Sequence, residues 1–276
     1  MRITFVGHVC VDRNLIHGNL ETFYGGGVIH GAVTARRLGA DVSVLTKCAA
    51  ADREHFTSFR DAGVEATFLP SPTSTSIRNE YPSENPDDRR SFLISRAEPF
   101  TTDDLARVNA DVVHLNPLWH GEFPVSLLPQ LKRATRVLGA DAQGFIRQAD
   151  PDGTLVNRDL VDKREVLGWL DVFKVDTKEA LVLTGIEDVH AAARAVRDLG
   201  PRIVVLTHRG GVCVYDGNEF YESPFTGFTV EGRTGRGDTC TSAFLVGMQR
   251  TGLREATALA ADVTSKKMQY RGTFRG

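Results

Sequence analysis

The stretch EGRTGRGDTCTSAF, residues 231–244, packs three glycines and two arginines into six positions, then places Asp238 where an apolar run begins. Beyond it Cys240, Ala243, Phe244 and Gly247 recur at helical spacing, and Leu245, Val246 and Met248 fill most other sides. That pattern predicts a buried helix. Gly235, Arg236, Gly237 and Asp238 form its entrance. A helix start leaves backbone N–H groups unpaired, with partial positive charge. Glycines let an anion approach that backbone closely. Two readings follow: Asp238 as an N-cap after a glycine turn, or a phosphate cradle with one acid beside it. The second suits phosphoryl transfer, whose loose transition state needs little prior deprotonation of the acceptor hydroxyl. An aspartate at a helix start is expected to have its charged form stabilised, which makes it a weak base. Acyl transfer fits less well, because no Ser or Cys nucleophile with a paired His is evident.

Such a site needs a scaffold, and the rest of the chain supplies one. Residues 2–6 read as a buried strand ending at Gly7, and 31–38 as a helix stopped by Gly39. Strands are expected at 41–46, 111–115, 136–139, 171–175 and 202–207. Helices are expected at 127–134, 158–168, 177–183 and 189–199. This alternation predicts a mostly parallel sheet with helices on both faces. Residues 212–221 read as a hairpin turning at Asp216-Gly217. Residues 14–24 and 71–96 break the pattern, and are read as strands of a small flap in preference to long surface loops.

The 276 residues suffice for one large α/β domain. A formal net charge of −2 gives no argument for nucleic acid as a partner. No apolar run approaches the roughly 20 residues of a membrane span, and the first residues read as a strand, not a secretory signal. Of the four cysteines, Cys10, Cys48, Cys213 and Cys240, none forms a C-x-x-C pair. A zinc site or disulfide framework is therefore not expected, and a cytoplasmic location is. Cys10, Cys213 and Cys240 read as small hydrophobes. Lys266, Lys267, Arg271 and Arg275 read as a solvated tail.

These residues resemble the ribokinase-like (PfkB) carbohydrate kinases. Gly235-Arg236-Gly237-Asp238 is similar to the Gly-x-Gly-Asp signature of that family. GGGVIHGAVTARRLG, residues 25–39, is similar to its glycine pair and following helix. Gly7 with Asp12 matches the aspartate that holds substrate hydroxyls, and DVFKVDTKEALVLTG, residues 171–185, resembles its strand and Asn-x-x-Glu. The matches run from residue 7 to about 270. The resemblance implies a ribokinase-like α/β three-layer sandwich: a mostly parallel central sheet, helices on both faces and a small β lid. One kinase domain over residues 1–276 is implied, with the lid at about 13–24 and 71–96, and possible homodimers through it. It also implies an ATP- and magnesium-dependent kinase. Asp238 is then the base, and the amides of Gly235, Arg236 and Gly237 are the anion hole. Asp12, Gly26, Gly27 and His30 hold substrate. Asp176, Glu179, Thr207, Gly210 and Gly211 serve ATP, with Glu179 reaching magnesium through water.

Several positions depart from the family. Gly232-Arg233 stand where Asp-Thr helps bind a monovalent cation in several members, which leaves potassium activation open. Arg236 replaces the usual Ala, and either grips phosphate or faces water. His30 replaces a helix Asn, as a substrate contact or a buried structural histidine. Asp176 replaces the Asn before the Glu, as a magnesium contact or a helix cap.

Within the family, GRTGRGDTC (232–240) and DAQGFIR (141–147) look most like the archaeal-type myo-inositol kinases. The latter puts Gln143 and Arg147 at the C-terminal rim of the sheet, where ligands bind. A polyol or sugar acceptor, best myo-inositol, is thus expected. A nucleoside kinase is the alternative, and a non-catalytic ligand-binding regulator a third.

Overall fold

The computed structural model describes residues 2–16, 18–81, 89–227 and 232–276. Strands and helices are numbered in chain order. Nine strands form the main sheet: β1 (Arg2–Val6), β4 (Asp41–Cys48), β5 (Glu65–Pro70), β8 (Val112–Leu115), β9 (Val137–Asp141), β12 (Val172–Asp176), β13 (Ile203–Thr207), β14 (Gly211–Tyr215) and β15 (Phe220–Pro224). Their order is β15-β14-β13-β12-β9-β8-β1-β4-β5. Pairing is parallel from β5 through β13, and antiparallel for β14 and β15. From β1 the chain first winds outward to β4 and β5, then returns to β8 and winds the other way. Adjacent β1 and β8 therefore form a topological switch point, where open α/β sheets bind ligands.

Alternating strand residues feed two cores. On one face Ile3, Phe5, Val112 and Val172 pack against α1 (Gly27–Arg37), α9 (Arg236–Met248) and α10 (Leu253–Lys267), with Phe59 of α2 (Ser58–Asp61) at the side. On the other, Val113, Leu138, Phe173 and Val175 meet α3 (Thr102–Leu105), α4 (Leu128–Ala134), α5 (Gln143–Ile146), α6 (Lys163–Leu167), α7 (Thr177–Thr184) and α8 (Val189–Arg197). Each fully buried Phe or Leu contributes about 1.5–3 kcal/mol. The ribokinase-like α/β architecture is thus as expected, with the sheet between two helical layers. Among the described residues, no helix is long and apolar enough to cross a membrane.

A second sheet has the order β3-β2-β6-β7, from β2 (Cys10–Ile16), β3 (Asn19–Gly25), β6 (Thr75–Tyr81) and β7 (Arg90–Ser95). The two irregular regions are strands, not surface loops, and the first pair is longer at both ends than residues 14–24. Residues 17 and 82–88 of the expected lid lie outside the described residues. His8 ties this sheet to the main one: its Nδ1 lies 2.9 Å from Thr75 Oγ1, and its backbone N–H donates to buried Glu122 Oε1 at 2.7 Å. A short ribbon pairs β10 (Arg147–Ala149) with β11 (Leu155–Asn157).

Two helices depart from expectation. The first begins at Gly27, four residues early, because Gly26 at φ 119° caps it. The helix expected over 158–168 is only Lys163–Leu167. Arg158 N–H is held by the Ile146 carbonyl, and Asp162 sits at φ 55°, so helical dihedrals start only after it.

Candidate active site

Helix α9 opens at Gly235, whose φ of 77° is the left-handed backbone that glycine adopts without a Cβ penalty. A Cβ there would also lie 2.2 Å from His30 Nδ1. Asp238 is therefore the third residue of the helix, not its cap. Its Oδ1 accepts from Asn116 Nδ2 at 3.4 Å. Asn116 follows β8 at the switch point, and also donates to Asp141 Oδ2 at 2.7 Å. Of the expected amide cradle, the Arg236 N–H is already taken by the Arg233 carbonyl at 3.1 Å. Arg236 thus serves by its side chain or not at all.

Beneath the helix mouth, strand alternation brings His114, Asp141 and Lys174 to one face of three adjacent strands, with Gly139 and Asp141 in register with Val172 and Lys174. His114 Nε2 is 3.3 Å from Asp141 Oδ1. A Cβ on Gly237 would lie 2.8 Å from Lys174 Nζ. Burial alone would pull the Lys174 ammonium down, but Glu179, Asp141, Asp176 and Asp238 outweigh it and its pKa is raised.

The expectation for the Asp238 charge is reversed. Desolvation, helped by the Asp141 carboxylate, pushes Asp238 up to about 6 against the opposing pull of Lys174. The helix start does not win, because the carboxyl is crowded by a second acid in a dry place. Near neutral pH this makes Asp238 a better base than expected.

Asp12 lies mid-strand in β2, with its pKa also up to about 6 through desolvation, opposed by Cys10 Sγ–H and the Arg147 charge. Arg147 is brought into the field of both Asp12 and Glu179. Asn14 shares the Asp12 face and accepts from Asn79 Nδ2 at 3.0 Å, and Ser91 Oγ donates to Asn79 Oδ1 at 2.7 Å. Gln143 is half-buried at the start of α5.

Asp176 and Glu179 form a capping box. Asp176 Oδ1 accepts from Glu179 N–H at 2.8 Å, and Glu179 Oε2 from Asp176 N–H at 2.7 Å. Asp176 thus caps α7. Desolvation pushes Glu179 up to about 7, opposed by Lys174. Among the described residues no hydrogen bond takes Glu179 Oε1 or Asp176 Oδ2. One oxygen of each is left for a metal-bound water, the way magnesium is usually held. Thr207 ends β13 in register with Asp176, and among the described residues its buried Oγ1 has no partner, like His30 Nδ1 and Asn116 Oδ1.

Gly210 and Gly211 are held locally by His208. Gly210 N–H donates to His208 Nδ1, and the Gly211 carbonyl accepts from His208 N–H. The His190, Cys213 and Glu222 group, with ligand atoms within 4.8 Å of one another, lies on α8 and the β14–β15 hairpin. Its thiol is pushed up to about 12, chiefly by burial. All four cysteines are buried and free.

Sequence reasoning missed Asn116, His114, Asp141, Lys174 and Lys267. Lys174 alone carried a local signal, a lysine in the middle of an apolar strand. Of the expected solvated tail, Lys266, Arg271 and Arg275 are exposed, but Lys267 is fully buried, and its Nζ donates to the carbonyls of Gly232, at 2.5 Å, and Thr234.

The family model of the pfkB family carbohydrate kinases matches residues 2–275. The chain belongs to that family. Its members transfer a phosphoryl group to an alcohol. Among solved pfkB-type structures, the sulfate complex of a pyrophosphate-dependent kinase in the ribokinase family is 50% identical, covering 99% of this chain and 97% of that one, with a TM-score of 0.95. A pyrophosphate-dependent kinase of that family, complexed with a pyrophosphate analog and myo-inositol, is 49% identical over 99% and 97% of the two chains, with a TM-score of 0.93. The cytidine kinase of Thermococcus kodakarensis is 33% identical over 147 residues, 52% of this chain. That match spans about half the length of the relative, 49%.

Proposed function

We propose that this pfkB chain moves a phosphoryl group from inorganic pyrophosphate to a hydroxyl of myo-inositol or a close cyclitol. The observation that carries this reading is Asp238. It is a raised-pKa carboxylate between the openings of α1 and α9, in a chain half identical to a pyrophosphate-dependent kinase. ATP, expected from the resemblance, gives way to pyrophosphate on that likeness.

In this reading Asp238 accepts the hydroxyl proton as the oxygen attacks phosphorus. The bridging P–O bond of pyrophosphate breaks, and orthophosphate leaves. Lys174 and the amides of Gly235 and Gly237 offset charge on the moving group. Magnesium, when bound, supplies further neutralisation of the donor, and Glu179 with Asp176 would hold it through water. Asp12, Asn14, Asn79 and Ser91 present donors and acceptors on one face, as a ring of hydroxyls requires. The second sheet acts as a lid that keeps water from the donor. Leu20 and Phe23, exposed on edge strand β3, offer a surface to a second copy.

The test is phosphate-ester formation with pyrophosphate or ATP, across myo-inositol, other cyclitols, ribose and cytidine. Myo-inositol with pyrophosphate is expected to react fastest. Cytidine as the best acceptor would favour a nucleoside kinase, the reading supported by the partial match to the cytidine kinase. Ligand binding without any ester product would favour a regulator.

A further inference from the structure

The loop before α9 is gripped from behind by α10. Lys267, the last residue of that helix, is fully buried, and its ammonium holds the Gly232 and Thr234 carbonyls. The contact is close-built: a Cβ on Gly232 would lie 2.0 Å from the Met268 carbonyl oxygen. On the other side, His30 presses its ring against Gly235. The described peptides are all trans. In a trans peptide the C=O and the next N–H point in opposite directions. Holding the Thr234 carbonyl on Lys267 therefore aims the Gly235 N–H away from it. That amide is the first of those assigned to the phosphoryl group.

We propose that Lys267 is a built-in monovalent cation, a positioning residue whose ammonium orients the loop carbonyls and thereby the Gly235 amide. This rests on the phosphotransferase reading above. Backbone carbonyls gathered on a cation also coordinate potassium. An ammonium or potassium ion is thus able to replace the side chain once it is removed.

Among the described residues, the titratable groups coupled to Lys267 are Asp238 of α9 and His30 of α1. Desolvation brings Lys267 down to about 8, opposed by Asp238, and brings His30, which also feels Lys267, to about 3. With Asp238 at about 6, Lys267 is the member of this trio that titrates above neutrality.

The experiment compares wild type, Lys267→Ala and Lys267→Met in ammonium, potassium and tetramethylammonium chloride at equal ionic strength. It reads kcat, KM for myo-inositol and the melting temperature. Wild type is expected to behave alike in all three salts. Lys267→Ala should lose about a hundredfold in kcat, with KM changed by less than about twofold. Ammonium or potassium should restore about tenfold of that loss and raise its melting temperature. Lys267→Met, whose side chain fills the space, should stay inactive in every salt. Stimulation of wild type by potassium, a full kcat in Lys267→Ala, or melting of that variant indifferent to salt would each overturn the proposal. Melting does not depend on turnover. A wild type inactive on every donor and acceptor thus sinks the proposed function alone, and melting still decides the role of Lys267. If neither variant folds, the wild-type profile decides. Loss of kcat above about pH 8 in all three salts supports the role, and constant kcat to about pH 10 refutes it.

Discussion

Gly27 and Asp238 lie 211 positions apart in the sequence, yet a Cβ on Gly27 would sit 2.5 Å from Asp238 Oδ1. The first turn of α1 and the first turn of α9 thus share one carboxylate. Gly27 has no positive φ. An added methyl group therefore acts through the acid it displaces, not through backbone strain.

Gly27→Ala is accordingly expected to lower kcat by about a hundredfold, the cost of roughly 1 Å of misplacement, with a near wild-type melting temperature. Steady-state kinetics and a thermal melt check this together. An unchanged kcat would mean that Asp238 is not the aligned base.

Asp238→Asn should abolish turnover yet stabilise the protein at pH 8. The folded pKa, about 6, lies above the ordinary 3.8, so the folded state holds a proton that the unfolded state has released between those values. This group therefore costs stability as pH rises through that window, and the cost is full above about 6. Removing the charge should recover on the order of 1–3 kcal/mol at pH 8 and little below about pH 4. Urea melts at both pH values measure it.

Lys174→Met is expected to weaken both donor binding and the fold. The raised Lys174 pKa means its charge stabilises the protein at all pH values below the ordinary lysine range, and that contribution is lost only as pH rises through the folded pKa. Breaking the buried cluster with Glu179 and Asp141 should cost about 3 kcal/mol. KM for pyrophosphate should rise more than KM for myo-inositol.

Asn79→Ala removes the middle of the Asn14–Asn79–Ser91 chain. KM for myo-inositol should rise about tenfold, from one or two lost hydrogen bonds at about 1 kcal/mol each, while KM for the donor holds. Equal changes in both would place the chain outside the acceptor site.

The parts readable in the sequence were those with local causes. A glycine turn before an apolar helix marked Gly235–Asp238, the family resemblance marked Gly26–Gly27, and β-branched runs marked the main strands. Asn116, Asp141 and His114 escaped notice because a strand does not announce which of its faces meets a helix from another part of the chain. Lys267 escaped for the same reason: its partners, Gly232 and Thr234, lie more than thirty positions earlier. The Asp238 pKa was misjudged because helix-end charge is local, whereas the burial that desolvates it and the opposing Asp141 arrive through the tertiary fold. The long helix at 158–168 failed on one backbone bond, from Arg158 to Ile146, that propensity does not see.

Strand β3 ends at Gly25 and α1 begins at Gly27, so a single residue, Gly26, joins the second sheet to the helix that abuts Asp238. If that sheet acts as the proposed lid, any tilt on an acceptor reaches α1 through the single φ/ψ pair of Gly26. What is not absorbed there is delivered straight to the carboxylate. In the proposed function, capture of the alcohol and aiming of the proton acceptor would thereby be geared to each other through one swivel.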